Sequence, residues 1–374
     1  MKKPVLLFGV LALSLILFTQ EIQHETIVVN IEVPVRVFKG GKFVDELAVD
    51  DFEVYEDGKP QKVVALYLIN KTIVKEIKKG EEIFTPEVSR HFFLVFELIE
   101  YLPKIGNVVD YFFANVILPG DTLHIATPIK TYNFNNKAFE LLPKEEMANQ
   151  LKKKLRKDIM LGSSKYKNLL RDYETIKESN LEADLKLQMK LTCLRRLREL
   201  TYFDLTKFLK LTDYLKKTEG QKYVFLFYQK ETTPIPEELG PTALELFDLQ
   251  RNASFDVEKV KQTFSDSSIS SHFVYITEAP RDDIRQEITG EDVMDQSAEI
   301  FGAFKEMAQA TGGTVESSAN AAASFQKVVD ASESYYILYY RPLDYKRDGK
   351  FHNIKVKVKN RNYRVTHRAG YFAN

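Results

Sequence analysis

Four strand-length stretches that are apolar or nearly so constrain the fold of this chain more than any other feature. Residues 91–96 (HFFLVF), 121–127 (DTLHIAT), 222–228 (KYVFLFY) and 271–277 (SHFVYIT) are each separated from the next by helix-forming sequence. A strand buried on both faces does not need the alternation of a half-exposed one, so such runs mark the interior of a sheet covered by helices. Parallel neighbours also require a long crossover, which an intervening helix supplies. The expected fold class is therefore α/β, with a doubly wound, mainly parallel, Rossmann-like sheet. Helical sequence fits residues 103–118. It recurs at Ile300, Phe301, Phe304, Met307 and Ala308, where Gly312-Gly313 ends the helix before Thr314 and Val315 start a short strand. A last helix packs Phe325, Val328 and Val329.

Both ends of the chain have a different texture. Ile27, Val29, Ile31, Val33, Val35 and Val37 fall on alternate positions, with Asn30, Glu32 and Arg36 on the other face, which describes a half-buried strand. Gly40 and Gly41 make a turn, residues 51–54 lead a second strand, and Glu56-Asp57-Gly58 is a hairpin signal before extended structure resumes at 62–69. Near the other end, residues 335–340 are strongly strand-forming, Ile354, Val356 and Val358 alternate with Lys355, Lys357 and Lys359, and residues 363–367 add another strand. The economical arrangement is a β-sandwich of residues 25–78 plus 334–373, with an α/β unit, 88–333, inserted into it.

Within that unit, residues from about 143 to 218 are rich in Lys, Glu and Leu and read as a helical insertion with one break, at Gly162-Ser163-Ser164. Its basic start, Lys152, Lys153, Lys154, Arg156 and Lys157, is followed by acids within a few turns and reads as a solvated face.

Lys2 and Lys3 precede an apolar run over residues 5–18, the length of a secretory signal core and short for a membrane span. Residues 1–21 are thus expected to be a signal peptide or, since no small-x-small cleavage pattern follows, an N-terminal anchor. The rest of the chain is expected outside the cytoplasm, in the periplasm, the cell envelope or the medium. Lys plus Arg and Asp plus Glu number 53 each, so no global field argues for nucleic acid or an anionic membrane surface, and any partner must be recognised locally. The single cysteine, Cys193, excludes an internal disulfide and any multi-cysteine metal site.

No catalytic constellation stands out. The six histidines are dispersed without metal-ligand spacing, and no nucleophile elbow, P-loop or dinucleotide fingerprint occurs. His91 and His272 both head apolar strands, where a histidine satisfied by its surroundings is expected over a paired site. The acids Asp50, Asp51, Glu53, Glu56 and Asp57 fit a strand and its turn, not a calcium loop. Tyr335, Tyr336, Tyr339 and Tyr340 suit either a sugar-stacking or protein-binding face or core packing.

Segments at the two ends nevertheless resemble one family. Residues 47–61 (LAVDDFEVYEDGKPQ), 335–342 (YYILYYRP), 348–358 (DGKFHNIKVKV) and 368–372 (RAGYF) are similar to the exported bacterial proteins called von Willebrand factor A-related, of the acidobacterial type. The resemblance implies a von Willebrand A fold whose ligand site lies at the C-terminal ends of the sheet strands. In members that keep it, a metal-ion-dependent adhesion site combines D-x-S-x-S after the first core strand, a threonine from a later loop and an aspartate after a further buried strand. Here the first motif falls on Glu97-Leu98-Ile99-Glu100-Tyr101, so Ile99 and Tyr101 replace both hydroxyls, and the later aspartate position reads Phe227-Tyr228-Gln229-Lys230. The usual oxygen shell is missing, so neither a metal nor any other cofactor is expected.

The expected function is that of a non-enzymatic binding or scaffold protein contacting a protein partner in the cell envelope. Its candidate contact face is Glu97, Ile99, Glu100, Tyr101, Leu102 and Lys230. The alternatives are a metal-dependent module with unorthodox ligands around Glu97 and Glu100, and an envelope hydrolase. Membrane attachment is expected only through the N-terminal segment.

Overall fold

A computed structural model describes residues 29–78, 84–134, 139, 141–201, 212, 214–230, 232–234, 257–267, 269–277, 293–295 and 297–374. The expected signal segment, 1–21, lies outside the described residues. Among the described residues no helix is long and apolar enough to cross a membrane.

The N-terminal strands are β1 (Ile31–Lys39), β2 (Lys42–Phe43), β3 (Phe52–Glu56), β4 (Lys59–Gln61), β5 (Val63–Asn70) and β6 (Ile73–Lys78). An α/β stretch follows: β7 (Arg90–Glu97), α1 (Pro103–Tyr111) running into a π turn at Phe112–Val116, β8 (Thr122–Ala126) and β9 (Thr131–Phe134). Helices α2 (Lys144–Glu178) and α3 (Ala183–Thr201) precede β10 (Gln221–Gln229), β11 (Thr232–Pro234), α4 (Val257–Asp266), β12 (Ile269–Ile276) and β13 (Val293–Asp295). The chain closes with α5 (Ser297–Ala310), β14 (Val315–Ser318), α6 (Ala321–Ser332), β15 (Ser334–Tyr340), β16 (Phe351–Val358), β17 (Arg364–His367) and β18 (Gly370–Phe372).

The fold is mixed α/β. Its central sheet runs β14-β12-β10-β7-β8-β9, parallel throughout except for β9, which pairs antiparallel with β8. Successive side chains of a strand point to opposite faces, and here both faces are covered. Phe92, Leu94 and Phe96 of β7 join a core with α1, the first half of α2 and α6. Phe93 and Val95 join a second core with α4 and α5. All nine residues of β10 are buried, which explains why its sequence shows no alternation. Strand order reverses between β7 and β10, and the crevice beyond the carboxyl ends of two such strands is where open α/β sheets place their ligands.

Two antiparallel sheets drawn from both ends of the chain pack face to face. One runs β17-β1-β15-β5-β6 with β2 alongside β1, and the other β18-β16-β3-β4. Ile31, Val33, Val35, Val37, Tyr336, Leu338 and Tyr340 of the first meet Phe52, Val54, Ile354 and Val356 of the second in one core. The other face of β15 buries Tyr335, Ile337 and Tyr339 against Ala65, Tyr67 and Ile69. The four tyrosines are therefore core residues, and none forms an exposed aromatic face.

Polar contacts join sandwich to α/β unit. Arg36 of β1 donates to the Gly312 carbonyl at 3.1 Å, and the Phe372 amide donates to Asp266 Oδ1 at 2.8 Å. Gly312 sits at φ 70°, and a Cβ there would come within 3.0 Å of the His367 backbone, so the residue serves a close approach as well as a helix end.

The expected break at Gly162-Ser163-Ser164 is corrected, because α2 runs straight through it. Ser163 and Ser164 turn their hydroxyls back onto the carbonyls of Met160 and Leu161, which keeps them inside a helix. Gly162 faces the loop after β8, where a Cβ would lie 2.7 Å from Pro128 Cβ. The glycine marks a close contact, not an end.

Candidate functional site

At the carboxyl ends of β7 and β10, Glu97 lies opposite Tyr228 in register, and each strand then releases a loop. Gln229, fully buried, aims its side-chain oxygen at the loop leaving β7 and accepts hydrogen bonds from the amides of Ile99 at 3.2 Å and Glu100 at 2.9 Å. Lys230 is carried past the sheet by its own amide, which donates to the Ile276 carbonyl. Pro103 then opens α1 at a position where its missing N–H costs no hydrogen bond.

Two residues of the expected contact face, Ile99 and Leu102, are buried and not exposed, and that part of the expectation is corrected. Ile99 is 8% exposed and Leu102 1%. Ile99 packs into a cluster with Tyr166, Leu170, Tyr173 and Ile176 of α2 and Cys193, Leu194 and Leu197 of α3. Leu102 enters the sheet core, and Tyr101 rests half-buried against it, where burial raises the pKa of its hydroxyl. Of the six candidate residues, Glu97, Glu100, Tyr101 and Lys230 keep partial exposure. The apolar side chains in this loop are covered by the chain itself, Ile99 by the α2–α3 hairpin and Leu102 by the sheet core.

Further contacts fix α2 across the same edge of the sheet. Asp158, 2% exposed, accepts hydrogen bonds from Thr127 Oγ1 at 2.9 Å and from the Tyr132 hydroxyl at 2.6 Å. Burial and the bond to the Asp158 carboxylate push the Tyr132 phenol up to about 12, and the Lys154 ammonium lies 5.2 Å from its ring centroid. The basic start of α2 thus contributes at least one cation to packing.

His91 and His272 do not meet, since β10 separates their strands. His91 Nδ1 pairs with Thr122 Oγ1 at 2.7 Å. His272, fully buried, hydrogen-bonds Thr314 Oγ1 and Ser270 Oγ at 3.1 Å each and stacks on Phe225. Desolvation holds both rings below the usual histidine range, with the field of Arg36 adding to the effect at His272.

The acids of the first hairpin have structural partners as well. Glu56 receives the hydroxyls of Tyr340 at 2.5 Å and Tyr371 at 3.1 Å, while Asp57 accepts from the Asn353 amide at 2.9 Å and pairs with His352 Nδ1 at 2.8 Å. These segments from the two ends of the chain are neighbours in space, since β3 pairs with β16. Among the described residues no group of three or more His, Cys, Asp or Glu side chains is arranged to hold a metal.

Residue-level reading of the sequence missed Gln229 as a polar anchor. The available signal was an amide directly after the apolar run 223–228.

No family model and no curated protein matches the chain. Among solved structures, the human COPII-coat protein Sec24c shares 7% identity over 77% of this chain and 44% of that one, with a TM-score of 0.26. The chain thus spans less than half of that protein, and a likeness of this degree carries no argument about fold or function.

Proposed function

We propose that this protein is a non-enzymatic, exported binding or scaffold protein, built on a von Willebrand A-like unit whose adhesion position works without a metal. The observation that carries the reading is Gln229. The stretch Phe227–Lys230, which falls on the later aspartate position of the resembled family, holds no carboxylate, and the Gln229 side-chain oxygen within it is engaged by the amides of Ile99 and Glu100. The strand order and the single antiparallel edge strand support the fold assignment.

With Ile99 and Leu102 buried, the contact surface in this reading moves to the helical hairpin of α2 and α3 that covers Ile99. Leu181, Leu185 and Met189 recur at four-residue spacing beside and along α3 and are 39%, 46% and 39% exposed. The partner is a protein of the cell envelope. Calorimetry with Mg²⁺, Ca²⁺ and Mn²⁺ is expected to give no binding heat, and binding that disappears in Glu97→Gln would favour the metal-dependent alternative. Cross-linking in the native envelope should give a reproducible adduct with one partner that is lost in Leu185→Glu/Met189→Glu. An adduct that persists in a variant melting like the parent would reject the hairpin surface.

A further inference from the structure

The overall neutrality of the chain conceals a local imbalance. From Arg341 to Asn374 there are ten Lys or Arg residues and two acids, Asp344 and Asp348. Part of that excess lines a groove of about 640 Å³ on the outer face of the four-stranded sheet, formed by Tyr55, Asp57, Gly58, Asn353, Lys355 and Lys357.

The alternation of β16 sets the arrangement. Ile354 and Val356 face the sandwich core, so Lys355 and Lys357 must both point outward, about 6.6 Å apart along the strand. Tyr55 of β3 lies directly opposite Lys355 in register, and the Lys357 ammonium sits 4.9 Å from the Tyr55 ring centroid. The Tyr55 hydroxyl donates to Glu53 at 2.9 Å, which fixes the ring as one wall. Asp57 is committed to His352 and the Asn353 amide, which leaves the Asn353 side chain exposed at the end of the groove. Neither Lys355 nor Lys357 forms an ion pair among the described residues. An outward lysine row is commonly only a solvated strand face. Here it borders a concave surface with an aromatic wall and an exposed amide.

We propose that this groove binds a linear anionic polysaccharide, with Lys355 and Lys357 meeting its carboxylate or sulfate groups, Tyr55 its apolar ring face and Asn353 its hydroxyls. The groove lies in the face of the sheet and not at an edge, so an acidic peptide cannot add to it as a strand through main-chain hydrogen bonds. Recognition must come from side-chain charge, a ring and an amide, which suits an acidic sugar chain. The inference does not rest on the protein-contact reading, because its residues belong to the sandwich and not to the hairpin.

The test is fluorescence anisotropy of the full chain with a labelled polygalacturonate oligomer, with neutral dextran, polyglutamate and a single-stranded oligonucleotide as competitors. Binding is expected to weaken as salt rises from about 50 to 200 mM. Competition by dextran should be absent. Lys355→Gln/Lys357→Gln should weaken binding by about tenfold or more, and Tyr55→Leu should weaken it while leaving the salt slope unchanged. The double variant must melt like the parent, since all its changes are on exposed side chains. Absent binding at low salt, equal binding by the double variant, or stronger competition by polyglutamate or the oligonucleotide than by unlabelled polygalacturonate would each overturn the proposal.

Discussion

Gln229 and Glu100 lie 129 residues apart in the chain, and a hydrogen bond of 2.9 Å from the Glu100 amide to Gln229 Oε1 joins them at the point where strand order reverses. A neutral amide oxygen accepts from two backbone donors of this loop, one of them at the buried Ile99.

Gln229→Leu fills the same volume but removes the acceptor. It should cost about 1–3 kcal/mol, because one buried and one part-buried N–H group lose this acceptor. Urea denaturation measures the loss, and amide exchange should show the loop after β7 opening more often than the sheet. A loss confined to global stability, with loop protection unchanged, would contradict the anchoring role.

Gly162→Ala sets two effects against each other. Alanine gains about 1 kcal/mol of helix propensity over glycine, while a Cβ placed 2.7 Å from Pro128 overpacks the α2 contact at a cost of about 1–3 kcal/mol. The clash is expected to win and lower the melting temperature. A higher melting temperature would mean that α2 is free to move away from Pro128.

Arg90 and Asp121, each with a side chain 3% exposed, form a two-pronged pair at the entry to β7 and β8, and Arg90 also donates to the Val116 carbonyl. Asp121→Ala leaves a buried guanidinium without its carboxylate and should cost about 3–5 kcal/mol in chemical denaturation. Removing both partners together should cost less than the sum of the single changes.

Lys222, 6% exposed, is pushed down to about 8 by burial, with the field of Glu32 opposing and that of Arg368 assisting the shift. A lysine depressed in the folded state penalises folding fully below its folded value, and the penalty fades as pH rises towards the ordinary value of 10.5. This residue should therefore make stability rise with pH between about 8 and 10.5. Lys222→Met should remove that slope, read as a flatter dependence of the urea midpoint on pH.

His352 shifts the opposite way. Burial disfavours its charged ring, but the hydrogen bonds to Asp57 and Asp348 and the charges of Asp57 and Glu56 outweigh burial and raise its pKa above 6.5. Its stabilising effect is complete below that ordinary value and is lost as pH rises through the folded one. His352→Gln should lower stability at pH about 5.5 and leave it little changed at about 8.5. An equal loss at both values would show that the ring acts by packing alone.

Local sequence determined much of the architecture. Continuous apolar runs at β7, β10 and β12 declared strands covered on both faces, and the Ile354, Val356 and Lys355, Lys357 alternation declared a sheet with one wet face. Those patterns are readable because burial acts on each side chain with the period of its own strand. Tertiary structure alone decided what covers the loop after β7 and which donors Gln229 accepts. Ile99 reads the same in a sequence whether its apolar surface awaits a partner or lies beneath Tyr166 and Leu194. Gly162 likewise reads as a break until Pro128 is placed against it. Contacts between residues far apart in the chain depend on where whole elements dock, and no local periodicity carries that information.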